Sequence, residues 1–348
     1  MTSSTIKDVA ARAGVSPSTV SRVISNHPRI SEKTKRTVRA AMEELGYHPN
    51  FLARSLAKKS SEAIGVHIPS TTEEFFMNPF FPELLRGISE VAKNEGYDLL
   101  LSTSDSGKED IRSLTRMIHG KRVDGVLLLS TRMHDPLMHV LQELSFPATV
   151  LGRPETESGP CCISWVNNDN VEAGYTATRH LIDLGHQRIG FLGGDENLLV
   201  TRDRLQGYHQ ALDEAGIPAD RRLMFSSAFM EQGGYLGMTR LLALPDRPSA
   251  VVASDDLFAF GAMRAAGELG YKIPDDIAVV GFNNVRLTEM SNPSLTSVDV
   301  RIFELGTTAA NLLIDQIRNP EQEPKSVIVP TQLVVRHSCG GGKNHTFS

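Results

Sequence analysis

The chain has 348 residues, a formal net charge of −5, a hydrophobic content of 40% and three cysteines. It is long enough for two or three domains. No apolar run approaches the ~20 residues of a membrane span, and the N-terminus has no apolar signal-peptide core. Three cysteines, two of them adjacent at Cys161 and Cys162, do not form a disulfide framework. We therefore expect a cytoplasmic protein with no membrane partner.

The first sixty residues predict three short helices. Thr5 is placed to cap the first helix, with Asp8 at capping-box spacing. Ser16 is placed to cap the second, which opens at Pro17. A helix, a short glycine turn, a second helix and a supporting third helix make a helix-turn-helix unit. The predicted bounds are 6–13, 17–25 and 32–45.

Charge is distributed unevenly along the chain. Residues 1–60 hold eleven Lys and Arg against four acidic residues, a charge of +7, so the remaining residues carry −12. A basic head on an acidic body indicates a polyanionic partner for the head alone. A solvated charged surface on an ordinary three-helix unit is the alternative.

Several stretches of this head carry a specific resemblance. DVAxxAGVSxxTVSRVI is followed, almost without gaps, by ISEKTKRTVRAAMEELGYHPN and ARSLA. Over about 55 residues the sequence resembles the DNA-binding head of the lac/gal (LacI/GalR) repressor family. The resemblance implies that residues 1–49 bind a double-stranded DNA operator. It also implies a homodimer, because a palindromic operator needs two copies of the chain.

The same resemblance places the second helix in the major groove of DNA. Pro17 and Ser18 then lie where the family varies its choice of base, and Arg22 suits a bidentate contact with guanine. Thr19 and Ser21 are expected to contact phosphates, and Arg29 a base or a phosphate. The expected contacts in the head are Thr5, Ser16, Pro17, Ser18, Thr19, Ser21, Arg22 and Arg29.

Residues 50–61 are expected to form a hinge helix and linker. Asn50 can cap a segment that ends at Lys58 and is too short to be a stable helix alone. By resemblance, this segment folds when two copies pair on DNA, Leu56 enters the minor groove as an apolar wedge, and Ala53 permits the close approach. A plain interdomain linker is the alternative.

From Ala63 the pattern changes to strands alternating with helices, which is typical of parallel sheets covered on both faces. The fold class is α/β, and the resemblance implies a body like that of periplasmic sugar-binding proteins, with two doubly wound parallel sheets in two lobes. We expect three crossovers between the lobes, and one strand at 326–336 that returns to the second lobe. The expected crossovers are near 163–166, 296–300 and 324–328. The expected domains are 62–163 plus 298–325 (N-terminal lobe), 164–297 plus 326–340 (C-terminal lobe) and 341–348 (flexible tail).

Ligands of open α/β sheets bind beyond the carboxyl ends of the strands. Arg204 lies in RDRLQGY, which is similar to the family's effector-binding arginine motif, although a helix-face salt bridge is the alternative. Asp255 and Asn283 each follow a strand, where they can also be an N-cap and a turn residue. Three phenylalanines can pack on a sugar ring or in the core. The expected effector site is Phe80, Phe81, Arg204, Phe229, Ser254, Asp255 and Asn283.

Hydroxyl-matching polar groups beside flat aromatic faces suit a neutral saccharide. SPSTVSRVI, PRISEKTK and NPSLTSVDVR are most similar to maltose-operon regulators, so a malto-oligosaccharide is favoured over other sugars or a purine corepressor. The implied function is transcriptional repression in the bacterial nucleoid, relieved by the effector. A sugar receptor of transport without a DNA role is the alternative. We expect no enzymatic activity, cofactor or metal, because the motifs for them are missing. Whether a phosphocarrier protein is a partner stays open.

Overall fold

The structure, a computed structural model, describes residues 4–47, 60–68, 71–104, 107–129, 132–155, 163–227 and 230–341. The chain divides into two compact units, Met1–Ser61 and Glu62–Ser348. We call the first unit the head and the second the body. No helix among the described residues has the length and apolar character needed to cross a bilayer.

In residues 4–47 of the head the structure describes three helices, α1 (Ile6–Ala13), α2 (Pro17–Ile24) and α3 (Glu32–Glu44). Their apolar sides enclose one small core, in which Val20 and Val38 are fully buried. The predicted helix-turn-helix arrangement is confirmed, and each helix ends within one residue of its predicted bound.

Local hydrogen bonds define the helix ends of the head. The Thr5 N–H and hydroxyl donate to the Asp8 carboxylate at 2.8 and 2.7 Å, and these bonds lower the pKa of Asp8. α1 ends at Gly14, whose φ of 62° lies in the left-handed region. The Thr19 N–H donates to Ser16 Oγ at 3.2 Å. These contacts fix the start of α2, which carries most of the expected DNA contacts.

In the described part of the body, strands form two six-stranded sheets. The strands are β1 (Ala63–Ile68), β2 (Asp98–Thr103), β3 (Gly125–Leu128), β4 (Ala148–Leu151), β5 (Ser164–Asn167), β6 (Ile189–Gly193), β7 (Met224–Ser226), β8 (Ala250–Ala253), β9 (Ala278–Phe282), β10 (Thr296–Asp299), β11 (Ser326–Ile328) and β12 (Gln332–Val334). The first sheet has the order β11-β5-β4-β3-β1-β2 and is parallel. The second has the order β12-β10-β9-β8-β6-β7, with β12 antiparallel to β10.

Helices cover both faces of each sheet. They are α4 (Thr72–Met77), α5 (Phe80–Glu95), α6 (Gly107–His119), α7 (Pro136–Leu144), α8 (Asn170–Asp183), α9 (Leu199–Glu214), α10 (Met230–Leu242), α11 (Asp256–Glu268), α12 (Leu287–Met290) and α13 (Ile302–Arg318). In β1, Val66 packs with the core under α5 and α13, whereas Ala63 packs with the core under α6 and α7. The predicted class, two doubly wound sheets, is confirmed.

The chain passes between the two lobes at three crossovers, residues 168–169, 300–301 and 329–331. Each crossover follows a short strand, β5, β10 or β11, that still belongs to the sheet being left. The crossovers therefore lie a few residues later than predicted. The predicted lobe limits are wrong for 164–167 and 326–328, which belong to the first sheet, and for 298–299, which belong to the second.

The predicted single strand at 326–336 is also wrong. β11 pairs with β5 in the first sheet, and β12 pairs with β10 in the second. Pro330, between the two strands, has no N–H to donate to a sheet ladder, so the pairing stops there. Four elements of four to six residues were not predicted, because none of them is a continuous apolar run like those of the short strands β3 and β4: α4, α12, β5 and β10.

Candidate functional site

The exposed side of α2 carries polar residues that were expected to contact DNA. Pro17, Ser18, Ser21 and Arg22 are exposed, whereas the valines of this helix are buried in the head core. Ser18 and Arg22 are four residues apart and therefore lie on the same side of the helix. The head thus presents these side chains together to solvent.

Both arginines that were expected to contact DNA have guanidinium groups without an ion-pair partner in the described part of the chain. Arg22 and Arg29 are exposed and form no ion pair with any described residue, unlike Arg12, which lies 2.7 Å from Glu44. A free guanidinium is a planar set of donors that matches a phosphate or the edge of guanine. These two arginines are therefore available for a nucleic acid.

Hydroxyl groups cluster at the start of α2. Ser16 Oγ lies 2.8 Å from Ser18 Oγ and 2.9 Å from Thr19 Oγ1. Hydroxyls and free N–H groups at a helix start favour a phosphate. Thr5 is exposed at the start of α1. The remaining expected DNA contacts lie outside the described residues, and they are Asn50, Ala53 and Leu56.

A cleft with a volume of about 180 Å³ lies between the lobes of the body, beyond the carboxyl ends of strands from both sheets. It includes five of the seven residues expected at the effector site: Phe80, Phe81, Arg204, Asp255 and Asn283. The polar residues of the described chain that line it are Asn78, Arg153, Asn167, Asn168, Asn170, Asp203, Arg204, Asp255 and Asn283.

Arg204 is held in the wall of the cleft by three contacts. Its Nε donates to Asn170 Oδ1 at 3.0 Å, its Nη1 donates to the Ser254 carbonyl at 2.6 Å, and its Cζ lies 4.4 Å from the Phe282 ring centroid. Only 6% of Arg204 is exposed, and this burial lowers its pKa to about 10. The group is therefore charged at neutral pH and keeps further N–H donors for a ligand.

Close packing of α8 against α9 positions Arg204. A Cβ atom on Gly207 would lie 2.0 Å from the Val171 carbonyl oxygen, and one on Gly174 would lie 2.2 Å from the Arg204 carbonyl oxygen. Only glycine permits this approach of the two backbones. It brings Asn170 on α8 within hydrogen-bond distance of Arg204 on α9.

Asp255 connects groups from both lobes. Its Oδ1 accepts from the Leu257 N–H at 2.7 Å and caps α11, and its Oδ2 accepts from Asn283 Nδ2 at 2.8 Å. The side chain of Asn78, from the first lobe, also donates to Asp255. Burial raises the pKa of Asp255, while these hydrogen bonds oppose the rise. Asp255 is therefore both an N-cap and part of the cleft.

Asn283 also combines two roles. Its φ of 100° is in the left-handed region, which asparagine tolerates, and its side chain lines the cleft. The turn asparagine that the sequence left as an alternative is therefore a cleft residue as well.

Two neighbours of Asp255 lie behind the cleft lining. Ser254 was expected at the effector site, but it does not line the cleft, and its carbonyl holds Arg204 instead. Asp256 is 1% exposed, and it accepts from Ser297 Oγ at 2.7 Å and from the Val285 N–H at 2.9 Å. Burial raises the pKa of Asp256 well above its ordinary value.

Aromatic rings form part of the cleft on the side of the first lobe. Phe80 and Phe81 are half-buried, their ring centroids are 5.4 Å apart in an edge-to-face arrangement, and both pack against the first-lobe core. They also line the cleft, so core and cleft roles coexist. The third expected aromatic residue, Phe229, lies outside the described residues.

The lobes contact each other beside the cleft. The Met133 N–H donates to the Asn197 carbonyl at 2.9 Å, and Arg132 pairs with Leu198 as an isolated antiparallel bridge. These loops follow β3 in the first lobe and β6 in the second. They join the two walls near Leu198, which lines the cleft.

Sequence reasoning missed a run of asparagines in the cleft. Asn167, Asn168 and Asn170 lie at or just after the end of β5. That strand was not predicted, so reading the residues that follow each predicted strand could not find them. The run NNDN after an apolar pair is the signal that was available.

Both units match known protein families. Residues 5–50 match the family described as bacterial regulatory proteins, lacI family. Residues 178–339 match the family described as periplasmic binding protein-like domain. These ranges fall in the head and in the body, respectively.

Relatives match along nearly the whole chain. The sequence is 40% identical over 327 residues to the HTH-type transcriptional regulator MalR of Streptococcus pneumoniae, covering 93% of this chain and 95% of MalR. It is 34% identical over 339 residues to the HTH-type transcriptional repressor PurR of Mannheimia succiniciproducens, covering 96% and 98%. Identities of 34–40% over more than nine tenths of both chains show that the proteins belong to one family.

Solved structures match the fold over the same range. A complex of the transcriptional regulator CelR with cellobiose has a TM-score of 0.75 at 34% identity, covering 96% of this chain and 99% of that chain. The lac repressor dimer bound to operator and the anti-inducer ONPF has a TM-score of 0.85 at 27% identity, covering 97% and 99%. The chain belongs to the LacI family of bacterial transcriptional regulators, with a helix-turn-helix head and a periplasmic-binding-protein-like body.

Proposed function

We propose that this regulator represses carbohydrate-utilisation genes, binds a palindromic operator as a homodimer, and is released by a neutral saccharide in the cleft. The favoured effector is a malto-oligosaccharide. The 40% identity to MalR supports the maltose class, and the CelR–cellobiose complex supports a saccharide ligand. Because the operator is part of the bacterial DNA, we place the protein in the cytoplasm. The proposal includes no catalytic step, cofactor or metal.

Balanced charge in the cleft is the observation that carries the saccharide class. Among the described residues its lining holds two guanidinium groups and two carboxylates, with Arg153 3.6 Å from Asp203 and Arg204 attracted to Asp255. An anionic ligand such as a sugar phosphate finds no unbalanced positive charge there. The asparagine amides of the lining can both donate to and accept from hydroxyls.

The head is proposed to bind operator DNA through α2. The charge of +7 in residues 1–60 supports attraction to phosphates. The exposed guanidinium group of Arg22 supports a contact with guanine. Residues 1–49 are assigned as the DNA-binding head and residues 50–61 as hinge and linker, with Leu56 as the minor-groove wedge. Residues 341–348 are assigned as the C-terminal tail.

Calorimetric titration tests the effector class. The panel is maltose, maltotriose, cellobiose, glucose 6-phosphate, adenine and guanine. We expect heat of binding from maltose or maltotriose and none from glucose 6-phosphate. Binding of a purine base without any sugar would overturn the saccharide class, and preference for glucose 6-phosphate would contradict the charge balance of the cleft.

Selection of duplexes from a random pool tests the DNA role. We expect an enriched palindrome, recovered less well when maltotriose is added, because closure of the cleft is proposed to disfavour the DNA-bound arrangement of the dimer. Recovery that rises with maltotriose would reverse the direction of the response. Failure to enrich any sequence at low salt would overturn the operator proposal.

A further inference from the structure

Asn168 lies in the first crossover and contacts both of the others. Its Nδ2 donates to the Val300 carbonyl at 3.1 Å and to the Val329 carbonyl at 2.8 Å. Val300 belongs to the second crossover and Val329 to the third. One amide nitrogen therefore bonds the three segments that connect the lobes, and Asn168 is only 5% exposed.

Neighbouring contacts hold the crossovers side by side. The Val329 N–H donates to the Asn167 carbonyl at 2.8 Å, which continues the pairing of β11 with β5 by one residue. Val300 and Val329 are both buried in the core of the first lobe. A change in the direction of one crossover therefore changes its distances to the other two.

Asn168 also lines the cleft. Both hydrogens of its amide are directed to crossover carbonyls, so Oδ1 is its remaining polar atom. This oxygen accepts no hydrogen bond within the described part of the chain, and it is not among the side-chain atoms sealed from solvent without a partner. A hydroxyl of a ligand in the cleft can therefore donate to the same amide that holds the crossovers.

We propose that Asn168 is the positioning residue that couples effector binding to the relative movement of the two lobes. This role rests on the proposed function, because it belongs to the same effector site. A hydroxyl bound to Oδ1 fixes the amide plane, and Nδ2 lies in that plane. The bound ligand thus favours the lobe arrangement in which the Val300 and Val329 carbonyls both face Nδ2.

Hydrogen exchange of the full-length, unliganded protein tests the bonds themselves. Asn168→Asp replaces Nδ2 by an oxygen of similar position, which removes both donors and keeps an acceptor toward the cleft. We expect amides at 298–302 and 327–332 to exchange about tenfold faster in this variant. Wild-type exchange rates at those two segments would overturn the proposal.

Asn167→Asp is the matched control, because it makes the same change one residue earlier. The Asn167 side chain accepts from Asn170 and is not bonded to the second or third crossover through its amide nitrogen. We expect wild-type exchange at 298–302 and 327–332 in this control. Equal acceleration in both variants would assign the effect to added charge and overturn the role of Asn168. Asn168→Ser, which is neutral and too short to reach both carbonyls, replaces Asn168→Asp if the latter does not fold.

Coupling is measured as the ratio of operator Kd values with and without saturating maltotriose. We expect the wild-type ratio to lie within the ~5–150-fold range typical of coupled sites. In Asn168→Asp the ratio should fall to about one while maltotriose still binds. A purely structural defect would lower stability and leave the ratio in place, which would overturn the coupling role. If the operator Kd of the wild-type protein does not change with maltotriose, the proposed function is contradicted. The exchange experiment needs no ligand, so it still decides whether Asn168 joins the crossovers.

Discussion

Arg204 keeps its charge although it is nearly fully buried. Asp203, Asp255 and Asp256 attract the guanidinium and oppose the desolvation that lowers its pKa to about 10. Its hydrogen bonds to Asn170 and to the Ser254 carbonyl fix the plane of the fork. At the scale of single residues, the cleft is therefore organised around one oriented cation whose charge is already balanced.

Arg204→Lys tests this orientation. Lysine keeps the charge but loses the planar fork, so the bonds to Asn170 and Ser254 and those to the ligand cannot all be made. We expect saccharide affinity to fall by about tenfold or more, measured by calorimetry. Arg179→Lys, at a half-buried arginine paired with Asp183 on α8, is the control. A similar saccharide affinity in both variants would contradict the proposed role of the planar guanidinium group.

Asp256 adds a pH dependence to stability. Burial raises its folded-state pKa above the unfolded value of about 4, so folding favours the protonated form. The stability contributed by this group is fully present below the unfolded pKa and is lost as pH rises through the raised folded pKa. A folded carboxylate at this position therefore costs stability toward neutral pH.

Asp256→Asn is expected to remove that loss. The amide can accept from the Val285 N–H and donate to Ser297 Oγ, so the buried bonds survive. We expect the Tm of the variant, relative to wild type, to be higher at pH 8 than at pH 5. Asp213→Asn, at an exposed position, should show no such trend. Parallel Tm profiles for wild type and Asp256→Asn would contradict the assignment.

Paired helices are the elements that set the geometry of the cleft. α8 packs on α9 at Gly174 and Gly207, and α10 packs on α11 at Gly234 and Gly261, where an added Cβ would lie about 2 Å from a backbone oxygen of the partner helix. In the first pair this spacing controls the distance between Asn170 and Arg204. We therefore expect changes in helix packing to alter effector binding.

Gly207→Ala should destabilise the body and weaken effector binding together. The new Cβ meets backbone atoms, which cannot rotate away, so the helices must separate, at a cost of about 1–3 kcal/mol. Gly267→Ala is the matched control, because that helical position has no atom within 4 Å of the new Cβ, and alanine should raise stability by up to ~1 kcal/mol. Urea unfolding and calorimetry measure both effects. Unchanged stability of Gly207→Ala would contradict the close packing.

A substitution on the exposed side of α2 should weaken binding to the operator more than binding to random DNA. Arg22→Ala removes the proposed guanine contact, so we expect affinity for the selected operator to fall about 10–100-fold, with little change on random duplex. Arg39→Ala, at an exposed position on α3, should affect both duplexes alike. An equal loss on operator and random DNA for Arg22→Ala would assign Arg22 to phosphate contact.

At the scale of the whole molecule, the two units have opposite charges and different ligands. In the proposed function the head, with +7 in residues 1–60, binds DNA through its exposed cations, and the acidic body binds its effector in a cleft of balanced charge. Salt screens the first kind of interaction far more than the second. The two binding reactions should therefore separate in a salt titration.

We expect operator affinity to fall by about 100-fold or more between 50 and 200 mM salt, because several phosphate contacts release counterions. Saccharide affinity should change by less than about twofold over the same range. Fluorescence anisotropy with labelled operator and calorimetry with maltotriose measure the two quantities. A saccharide affinity that falls steeply with salt would indicate an unbalanced charge in the cleft.

The helices of the head and the alternation of strands and helices in the body could be predicted from the sequence alone, because caps, glycine stops and apolar periodicity act within a few residues. The same local order placed Asp255 and Asn283 directly after strands, and so at the cleft, whereas Arg204 was expected there from the resemblance of its motif. The short strands β5 and β10 were not predicted, and β11 was merged with β12 into one strand, because the pairing of such short segments depends on strands far along the chain.

Only the tertiary structure points to the role that we propose for Asn168. Its two acceptors lie 132 and 161 residues away in the sequence, so no local pattern points to them. They meet because three crossovers run side by side where two separate sheets are joined. Short-range hydrogen bonding and periodicity thus determined the elements, whereas contacts between distant segments determined how the lobes are connected and which side chains line the space between them.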